Sequence, residues 1–275
     1  MRRLMKYYIV SGRTVEERRS WMSVGEKPKK TRGTRKVGNS TEKKIRANEK
    51  STVRKLARIL NCNYEAGDGF LTLAYDGSHY PAGSSPDPDQ RREEEYQASK
   101  RILTKKFLPK LGRVYRKVTG KKLTAVWVTA NWSPRRDAPT RVHHHMVLPT
   151  DAVELARKLW QRFGGAGTVK IEDLNNEGDY SRLAAYMLEN VKGRPYGENK
   201  WSGTRGLAQP IYCGWEEVTD IEDVQPLPGS IVKDVEQSQD EEGQVIGAYL
   251  RCVLPERVKV RGGQVVLPRK RRRRA

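Results

Sequence analysis

Three consecutive histidines, His143, His144 and His145, are the residues of this sequence whose type and spacing best suit metal chemistry. They lie in residues 141–148, a run of strand-forming residues, and successive side chains of a strand point to opposite faces. His143 and His145 therefore share one face, about 7 Å apart along the strand, and His144 lies on the more apolar face. Two neutral imidazoles at that spacing can bind one metal ion. The alternative is a strand of three histidines that binds no metal.

A tyrosine in a later predicted helix could supply a nucleophile. Tyr186 shares its helix face with residues three or four positions away, among them Arg182, Glu189 and Asn190. A tyrosine oxygen can attack phosphorus and become joined to a DNA 5′ phosphate, and because this ester is conserved, strands can be rejoined without ATP. Free tyrosine has a pKa near ~10, so we expect the cations Arg182 and Lys192 to help the phenolate form.

The elements that must position these residues follow from hydrophobic periodicity. The predicted elements are strands at 70–75, 123–131, 141–148 and 168–171, and helices at 90–115, 151–163 and 179–191. The order β-α-β-β-α-β, followed by one helix, predicts an α+β protein with a ferredoxin-like (split βαβ) antiparallel sheet. The helices are expected to cover the face that holds His144, which leaves His143 and His145 on the open face.

Charge divides the chain into three predicted regions. Residues 1–58 contain 19 Lys and Arg against 5 Asp and Glu, so residues 1–50 are predicted to be a basic flexible arm. Residues 51–215 are predicted to form the α+β domain. Residues 216–275 are predicted to be a C-terminal extension, with an acidic, solvated segment at 216–242 and a polybasic tail at 269–274.

Composition limits the partners and the compartment. The formal net charge of +21 favours a polyanionic partner. No apolar run reaches the roughly 18 residues of a membrane span, and no secretory signal is expected at the start of the sequence. Cys62, Cys213 and Cys252 are far apart, which argues against disulfides and cysteine zinc sites and fits the cytoplasm. The sequence has no G-x-x-x-x-G-K-[ST] motif, so a separate helicase is expected to unwind duplex DNA.

Three segments resemble the HUH-endonuclease replication initiators of rolling-circle plasmids and small phages. Residues 69–75 (GFLTLAY) resemble the first motif strand of that family, 142–148 (VHHHMVL) its histidine strand, and 184–190 (AAYMLEN) its tyrosine helix. Residues 201–210 also resemble a segment that commonly follows this helix.

The resemblance implies a nicking domain over residues 51–215, in which His143 and His145 bind Mg²⁺ or Mn²⁺ and Tyr186 is the nucleophile. It implies nicking and strand transfer on single-stranded origin DNA in the cytoplasm of a bacterial host, with a host helicase and DNA polymerase as partners. Basic residues in or beside the matched segments are predicted to bind the DNA: Arg141, Arg194, Lys200 and Arg205.

The sequence departs from the family pattern in several places. Many relatives have an acidic third ligand before the histidine strand, where this sequence has residues 129–131 (TAN). The remaining candidates for a third ligand are Glu189, Asn190, Asn131 and Asp137. The lysine often found three residues after the tyrosine is Glu189 here, and Lys192 is the candidate replacement. Tyr180 is a candidate second nucleophile.

Two other functions remain open on the sequence. A tyrosine transposase or a conjugative relaxase would use the same chemistry, although relaxases usually add a third histidine, and only His79 remains here. A non-catalytic single-stranded DNA- or RNA-binding protein on a ferredoxin-like sheet would need neither metal nor nucleophile.

Overall fold

The computed structural model describes residues 2–23, 42–166, 168–192, 194 and 198–267. The chain divides into two compact units, Met1–Cys62 with Ala208–Ala275, and Asn63–Leu207. No helix in the described ranges is long and apolar enough to cross a membrane.

The described part of the chain contains twelve strands and five α-helices, with one π-helical segment, Ile102–Phe107, between α2 and α3. The strands are β1 (Arg2–Ser11), β2 (Thr14–Ser23), β3 (Gly69–Leu73), β4 (Val126–Ser133), β5 (Ala138–Leu148), β6 (Val169–Asp173), β7 (Ser202–Gly203), β8 (Ile211–Glu217), β9 (Ile231–Gln239), β10 (Val245–Val253), β11 (Lys259–Arg261) and β12 (Gln264–Val266). The helices are α1 (Glu42–Asn63), α2 (Pro88–Arg101), α3 (Leu108–Thr119), α4 (Thr150–Gly164) and α5 (Ser181–Glu189).

The first unit is built on an antiparallel sheet of order β8-β1-β2-β10-β9. The β1–β2 turn contains Gly12, whose φ is 63° and where a Cβ would lie 2.1 Å from the carbonyl oxygen of Asn61, so only glycine fits. Helix α1 contacts this sheet through Arg58, whose guanidinium donates two hydrogen bonds to the Glu16 carboxylate, at 2.7 and 2.5 Å.

The prediction of a flexible arm over residues 1–50 is wrong for its first part. Residues 2–23 form a paired hairpin whose Leu4, Ile9, Val10 and Val15 are buried. Local composition concealed this, because the strands that complete the sheet, β8 and β10, lie about two hundred residues further along the chain. Residues 24–41 of the proposed arm lie outside the described residues, and residues 42–50 belong to helix α1.

The predicted boundaries at the other end also need correction. The acidic segment 216–242 is not a solvated linker throughout, because Ile231–Gln239 forms β9 and pairs with β10. β8 belongs to the sheet of the first unit, so the second unit ends at Leu207 rather than at residue 215. The polybasic tail at 269–274 lies outside the described residues.

The second unit contains an antiparallel sheet of order β6-β3-β5-β4-β7. The α+β class predicted from the sequence is confirmed, and the predicted strands and helices of residues 70–191 occur within a few residues of the expected positions. Pro109 lies in the first turn of α3, directly after the π-helical segment.

The two faces of this second sheet differ in character. One, the helix face, carries Leu71, Leu73, Met146 and Leu148, which are fully buried against residues of α3 and α4 such as Leu111 and Trp160. The other, the histidine face, carries Phe70, Thr72, His143, His145 and Lys170, which strand alternation and the register place on one side.

A candidate metal and tyrosine site on the histidine face

The register of three strands places polar side chains side by side on the histidine face. Thr72 of β3 pairs with His145 of β5 on one side and with Lys170 of β6 on the other. Because directly paired residues point to the same face, a hydroxyl, an imidazole and an ammonium form a row across the sheet. The sequence could predict the strands, but only the pairing shows this row.

The two outer histidines converge, as the strand alternation predicted. The Nε2 atoms of His143 and His145 lie 3.2 Å apart, with the ring centroids separated by 4.8 Å. The Nδ1 atom of His143 is 3.0 Å from the carbonyl oxygen of Arg141, and a carbonyl only accepts, so this nitrogen carries the proton. The lone pair of His143 therefore lies on Nε2, directed toward His145.

His145 is oriented by a hydroxyl rather than a carbonyl. Its Nδ1 atom lies 3.1 Å from Oγ1 of Thr72, and its ring stacks against Phe70 at a centroid distance of 5.3 Å. If the Thr72 hydroxyl accepts a hydrogen bond from Nδ1 of His145, the Nε2 lone pairs of His143 and His145 are both free to bind one metal ion. If it donates instead, His145 Nε2–H can donate to His143, and the pair is satisfied without a metal.

Burial keeps both rings in the neutral form that binds metals. Burial lowers the pKa of His143, against a raising effect of the Arg141 carbonyl. Burial, with a smaller effect of His143, lowers the pKa of His145 to about 3. Imidazoles that resist protonation keep their lone pairs at neutral pH, which metal binding requires.

His144 lies in the core, as expected from strand alternation. It is fully buried, and its Nε2 atom is 2.9 Å from the Tyr75 hydroxyl and 3.1 Å from the Ser99 hydroxyl. Its Nδ1 atom is 3.2 Å from Oγ1 of Thr129. Burial lowers its pKa well below the usual value, so this histidine is a neutral member of a buried polar network.

Helix α5 places Tyr186 over the histidine pair. The helix buries Ala184, Met187 and Leu188 and contacts β4. The carbonyl oxygen of Asn190 accepts hydrogen bonds from the backbone N–H groups of Asn131 and Trp132, at 3.0 and 3.2 Å. These bonds attach the C-terminal end of α5 to β4 and so fix the position of the helix on the sheet.

Tyr186 contacts the site and remains accessible. Its ring centroid lies 5.3 Å from that of His145 and 6.0 Å from that of Phe70. The side chain is 46% exposed, whereas a tyrosine that only packed in the core would be covered. A phenol beside two converging imidazoles, open to solvent, can meet a phosphate that binds on this face.

The two cations predicted to assist Tyr186 differ in their contacts. Arg182 is exposed and forms no ion pair with any described residue. The ammonium of Lys192 lies 2.7 Å from the Asp137 carboxylate and 4.3 Å from the centroid of the Trp132 ring. Lys192 therefore stabilises the β4–β5 turn, and no contact joins it to Tyr186.

Lys170 is the cation that sequence reasoning missed. It pairs with Glu172, and the hydrogen bond and charge of this carboxylate raise the pKa of Lys170, with an additional raising effect from the nearby Tyr186 phenol. In the sequence, strand alternation over residues 168–171 places Lys170 on one face of its strand. Only the pairing of β6 with β3 shows that this is the histidine face.

Each candidate for the third ligand is exposed or hydrogen-bonded to another group, and the identity of the third ligand stays a prediction. Glu189 is exposed, and the amide nitrogen of Asn190 donates to the Tyr186 carbonyl at 2.6 Å. Asn131 bonds the backbone of Lys192, and Asp137 pairs with the Lys192 ammonium. Among the described residues, no three His, Cys, Asp or Glu side chains form a metal-binding group.

The residues predicted to bind nucleic acid do not form one set. The Arg194 side chain is 5% exposed; it donates to both oxygens of Glu93, at 3.3 and 2.8 Å, and lies 3.6 Å from the centroid of the Tyr96 ring. These contacts give Arg194 a structural role, and its binding to nucleic acid stays a prediction. Arg141 is exposed and lies over the Tyr80 ring, and Arg205 is exposed after β7. Lys200 is half-buried just before β7.

The comparisons with known proteins found no matching family model, no matching curated protein and no matching solved structure.

Proposed function

We propose that this protein nicks and rejoins single-stranded DNA, with Tyr186 as the nucleophile and a divalent cation bound by His143 and His145, as a rolling-circle replication initiator does. The observation that carries the proposal is the placement of three side chains on one sheet face. Two Nε2 atoms converge to 3.2 Å, and an exposed phenol lies against the ring of His145.

The geometry of the imidazoles supports a shared cation. Two neighbouring ligands of an octahedral ion, each about 2.1 Å from the metal, lie about 3 Å apart, which agrees with the 3.2 Å between the Nε2 atoms. The hydrogen bonds to both Nδ1 atoms are the outer contacts that orient metal-binding histidines. Mg²⁺ prefers oxygen ligands, so Mn²⁺ is the better match for two imidazoles, and phosphate and water oxygens would complete the coordination.

The architecture also agrees with the proposed family. Strands β6-β3-β5-β4 have the order of a split βαβ sheet, with β7 added at the edge. Helices cover the helix face, while α5 with its tyrosine lies on the histidine face. This arrangement supports an HUH-type, ferredoxin-like nicking domain.

The proposed reaction requires in-line attack at phosphorus. The Tyr186 oxygen loses its proton and forms a bond to phosphorus, the bond from phosphorus to the 3′ oxygen breaks, and this oxygen takes up a proton. In the reverse step a 3′-hydroxyl attacks the phosphotyrosine and releases the phenol. The cation supplies charge neutralisation at the non-bridging oxygens. The ammonium of Lys170 interacts electrostatically with Tyr186, and its positive charge can stabilise negative charge that develops on this face during the transfer.

Observations in this chain favour an initiator over a relaxase. His79, the remaining histidine, is held in a surface turn, where its Nδ1 atom lies 2.8 Å from the Asp76 carboxylate, and its backbone N–H donates to the same oxygen. It therefore does not complete a three-histidine site. The proposed setting is the cytoplasm of a bacterial host, with single-stranded origin DNA, a host helicase and a host polymerase as partners.

The decisive experiment is covalent capture. Full-length protein is incubated with Mn²⁺ and a pool of randomised single-stranded DNA, and adducts that survive denaturation are digested and sequenced by mass spectrometry. We expect a nucleotide attached to Tyr186 through a 5′ phosphate. Tight DNA binding with no adduct, unchanged by Mn²⁺, would instead indicate a non-catalytic single-strand-binding protein.

A further inference from the structure

The long helical segment on the helix face carries an unusual concentration of positive charge. Residues 96–136 contain twelve Lys and Arg and no Asp or Glu. Most of these cations lie on the end of α2, the π-helical segment and α3. By contrast, the first half of α2 contains Asp89 and residues 93–95 (EEE), so the charge changes sign along one continuous helical path.

The cations of this segment collect on its outer side. The inner side carries an apolar stripe that packs in the core, consisting of Tyr96, Leu103, Phe107, Leu111 and Tyr115. Positions two residues from a buried position point to the opposite side of a helix, because each residue turns by about 100°. Four exposed cations lie there, and we call them the basic stripe: Arg101, Lys105, Arg113 and Lys117.

The charges of the basic stripe are not compensated within the described part of the chain. None of the four forms an ion pair with a described residue. Arg101 and Lys105, like Arg113 and Lys117, are four positions apart, and like charges at this spacing repel. Helix α4 shows the usual compensated pattern, because Glu154 binds both Arg157 and Lys158.

The chemistry of the basic stripe points to phosphates rather than to unpaired bases. All three aromatic residues of the helical part, residues 96–119, are buried: Tyr96, Phe107 and Tyr115. None of them can therefore stack on a base, as single-strand-binding surfaces require. From Arg101 to Lys117 the stripe extends about 24 Å at a helical rise of 1.5 Å per residue. A rigid row of charge of this length matches about seven steps along one strand of duplex DNA.

We propose that the basic stripe is a docking surface for the phosphate backbone of duplex DNA, separate from the site on the histidine face. The choice of DNA over RNA rests on the proposed function; the duplex-docking surface itself does not. A surface on the opposite side of the sheet can hold a double-stranded flank or hairpin arm while the single strand enters at His143 and Tyr186.

The test measures binding of full-length protein to a fluorescent 20-base-pair duplex and to one of its single strands. The stripe variant is Lys105→Gln with Arg113→Gln. The control is Lys259→Gln with Arg261→Gln, which removes the same charge from exposed positions of β11. Anisotropy is recorded over roughly 50–300 mM salt, because each lost phosphate contact lowers the salt slope by about 0.9.

We expect the stripe variant to lose about tenfold or more in duplex affinity, with a salt slope smaller by about two, while the control retains wild-type binding. Equal losses for the two variants would overturn the proposal, since only net charge would then matter. An equal loss on the single strand would overturn the duplex assignment, and tighter binding of a matched RNA duplex would overturn the choice of DNA.

Two further measurements separate a loss of duplex binding from misfolding of the variant and from a loss of catalysis. In the wild-type protein, duplex DNA should protect Lys105 and Lys117 from amine acylation, and unprotected lysines would contradict the proposal. The stripe variant should form the Tyr186 adduct on short single-stranded DNA at the wild-type rate. If no adduct forms with either protein, the proposed nicking function fails while the duplex-binding result stands.

Discussion

The Nε2 atoms of His143 and His145 lie 3.2 Å apart, with both rings on the face that Tyr186 covers. Strand alternation brings the rings to one side. Their directions are set by hydrogen bonds between Nδ1 of His143 and the Arg141 carbonyl oxygen, and between Nδ1 of His145 and the Thr72 hydroxyl. The phenol and the imidazoles come from elements about forty residues apart in sequence, and the attachment of α5 to β4 brings them together.

Substitution of Tyr186 by Phe should abolish the covalent adduct without loss of DNA binding, because the nucleophilic oxygen is removed from an exposed side chain. The measurement is adduct formation with Mn²⁺ on denaturing gels. Tyr180→Phe is the matched control: this buried tyrosine donates to the Asn175 carbonyl, so its adduct yield should stay at the wild-type level. An adduct formed by Tyr186→Phe would refute the assigned nucleophile.

Substitution of Thr72 by Val should weaken Mn²⁺ binding by about 10- to 100-fold, the usual effect of losing an outer contact to a metal ligand. Valine fills the same space but cannot hydrogen-bond Nδ1 of His145. Thr72→Ser keeps the hydroxyl and should retain binding. Titration by electron paramagnetic resonance gives the affinities, and identical values for Val and Ser would show that the hydroxyl does not orient the ring.

Substitution of Lys170 by Met should slow adduct formation by about two- to fivefold, the modest effect of an exposed charge. The reason is that Lys170, rather than Lys192, interacts electrostatically with Tyr186. Single-turnover rates of adduct formation at one pH and one Mn²⁺ concentration measure the effect. Lys192→Met is the comparison, and a larger loss there would reverse the assignment.

Substitution of His144 by Leu should lower the free energy of unfolding by about 1–3 kcal/mol for loss of a buried hydrogen-bond partner. Tyr75, Ser99 and Thr129 would lose a contact in the core. Urea denaturation measures the change, with the exposed His79→Leu as control. Protein that remains folded should still bind Mn²⁺, because His144 points away from the site; a specific loss of Mn²⁺ binding would contradict its structural role.

Substitution of Arg194 by Gln should lower the free energy of unfolding by about 1.5–3 kcal/mol, the range for hydrogen bonds to a charged group. The buried guanidinium donates hydrogen bonds to both carboxylate oxygens of Glu93, a residue of α2. Arg205→Gln, at an exposed position, should leave stability unchanged. If denaturation curves of Arg194→Gln matched the wild type while DNA affinity fell, Arg194 would be a nucleic-acid ligand as the sequence first suggested.

The sequence by itself determined the local features of the second unit. The alternation of residues 141–148 separated His143 and His145 from the buried His144, and helical periodicity placed Tyr186 on α5. These inferences succeeded because a strand or helix exposes its faces with a fixed period whatever surrounds it.

Only the tertiary structure decided which distant groups meet. The pairing of β6 with β3 brought Lys170 beside the site, and the contact with Glu93 buried Arg194. The hairpin of residues 2–23 was hidden for the same reason, since its strands are completed by β8 and β10 from the other end of the chain. Which distant strands pair depends on the packing of the whole chain, and the local composition of a segment does not indicate it.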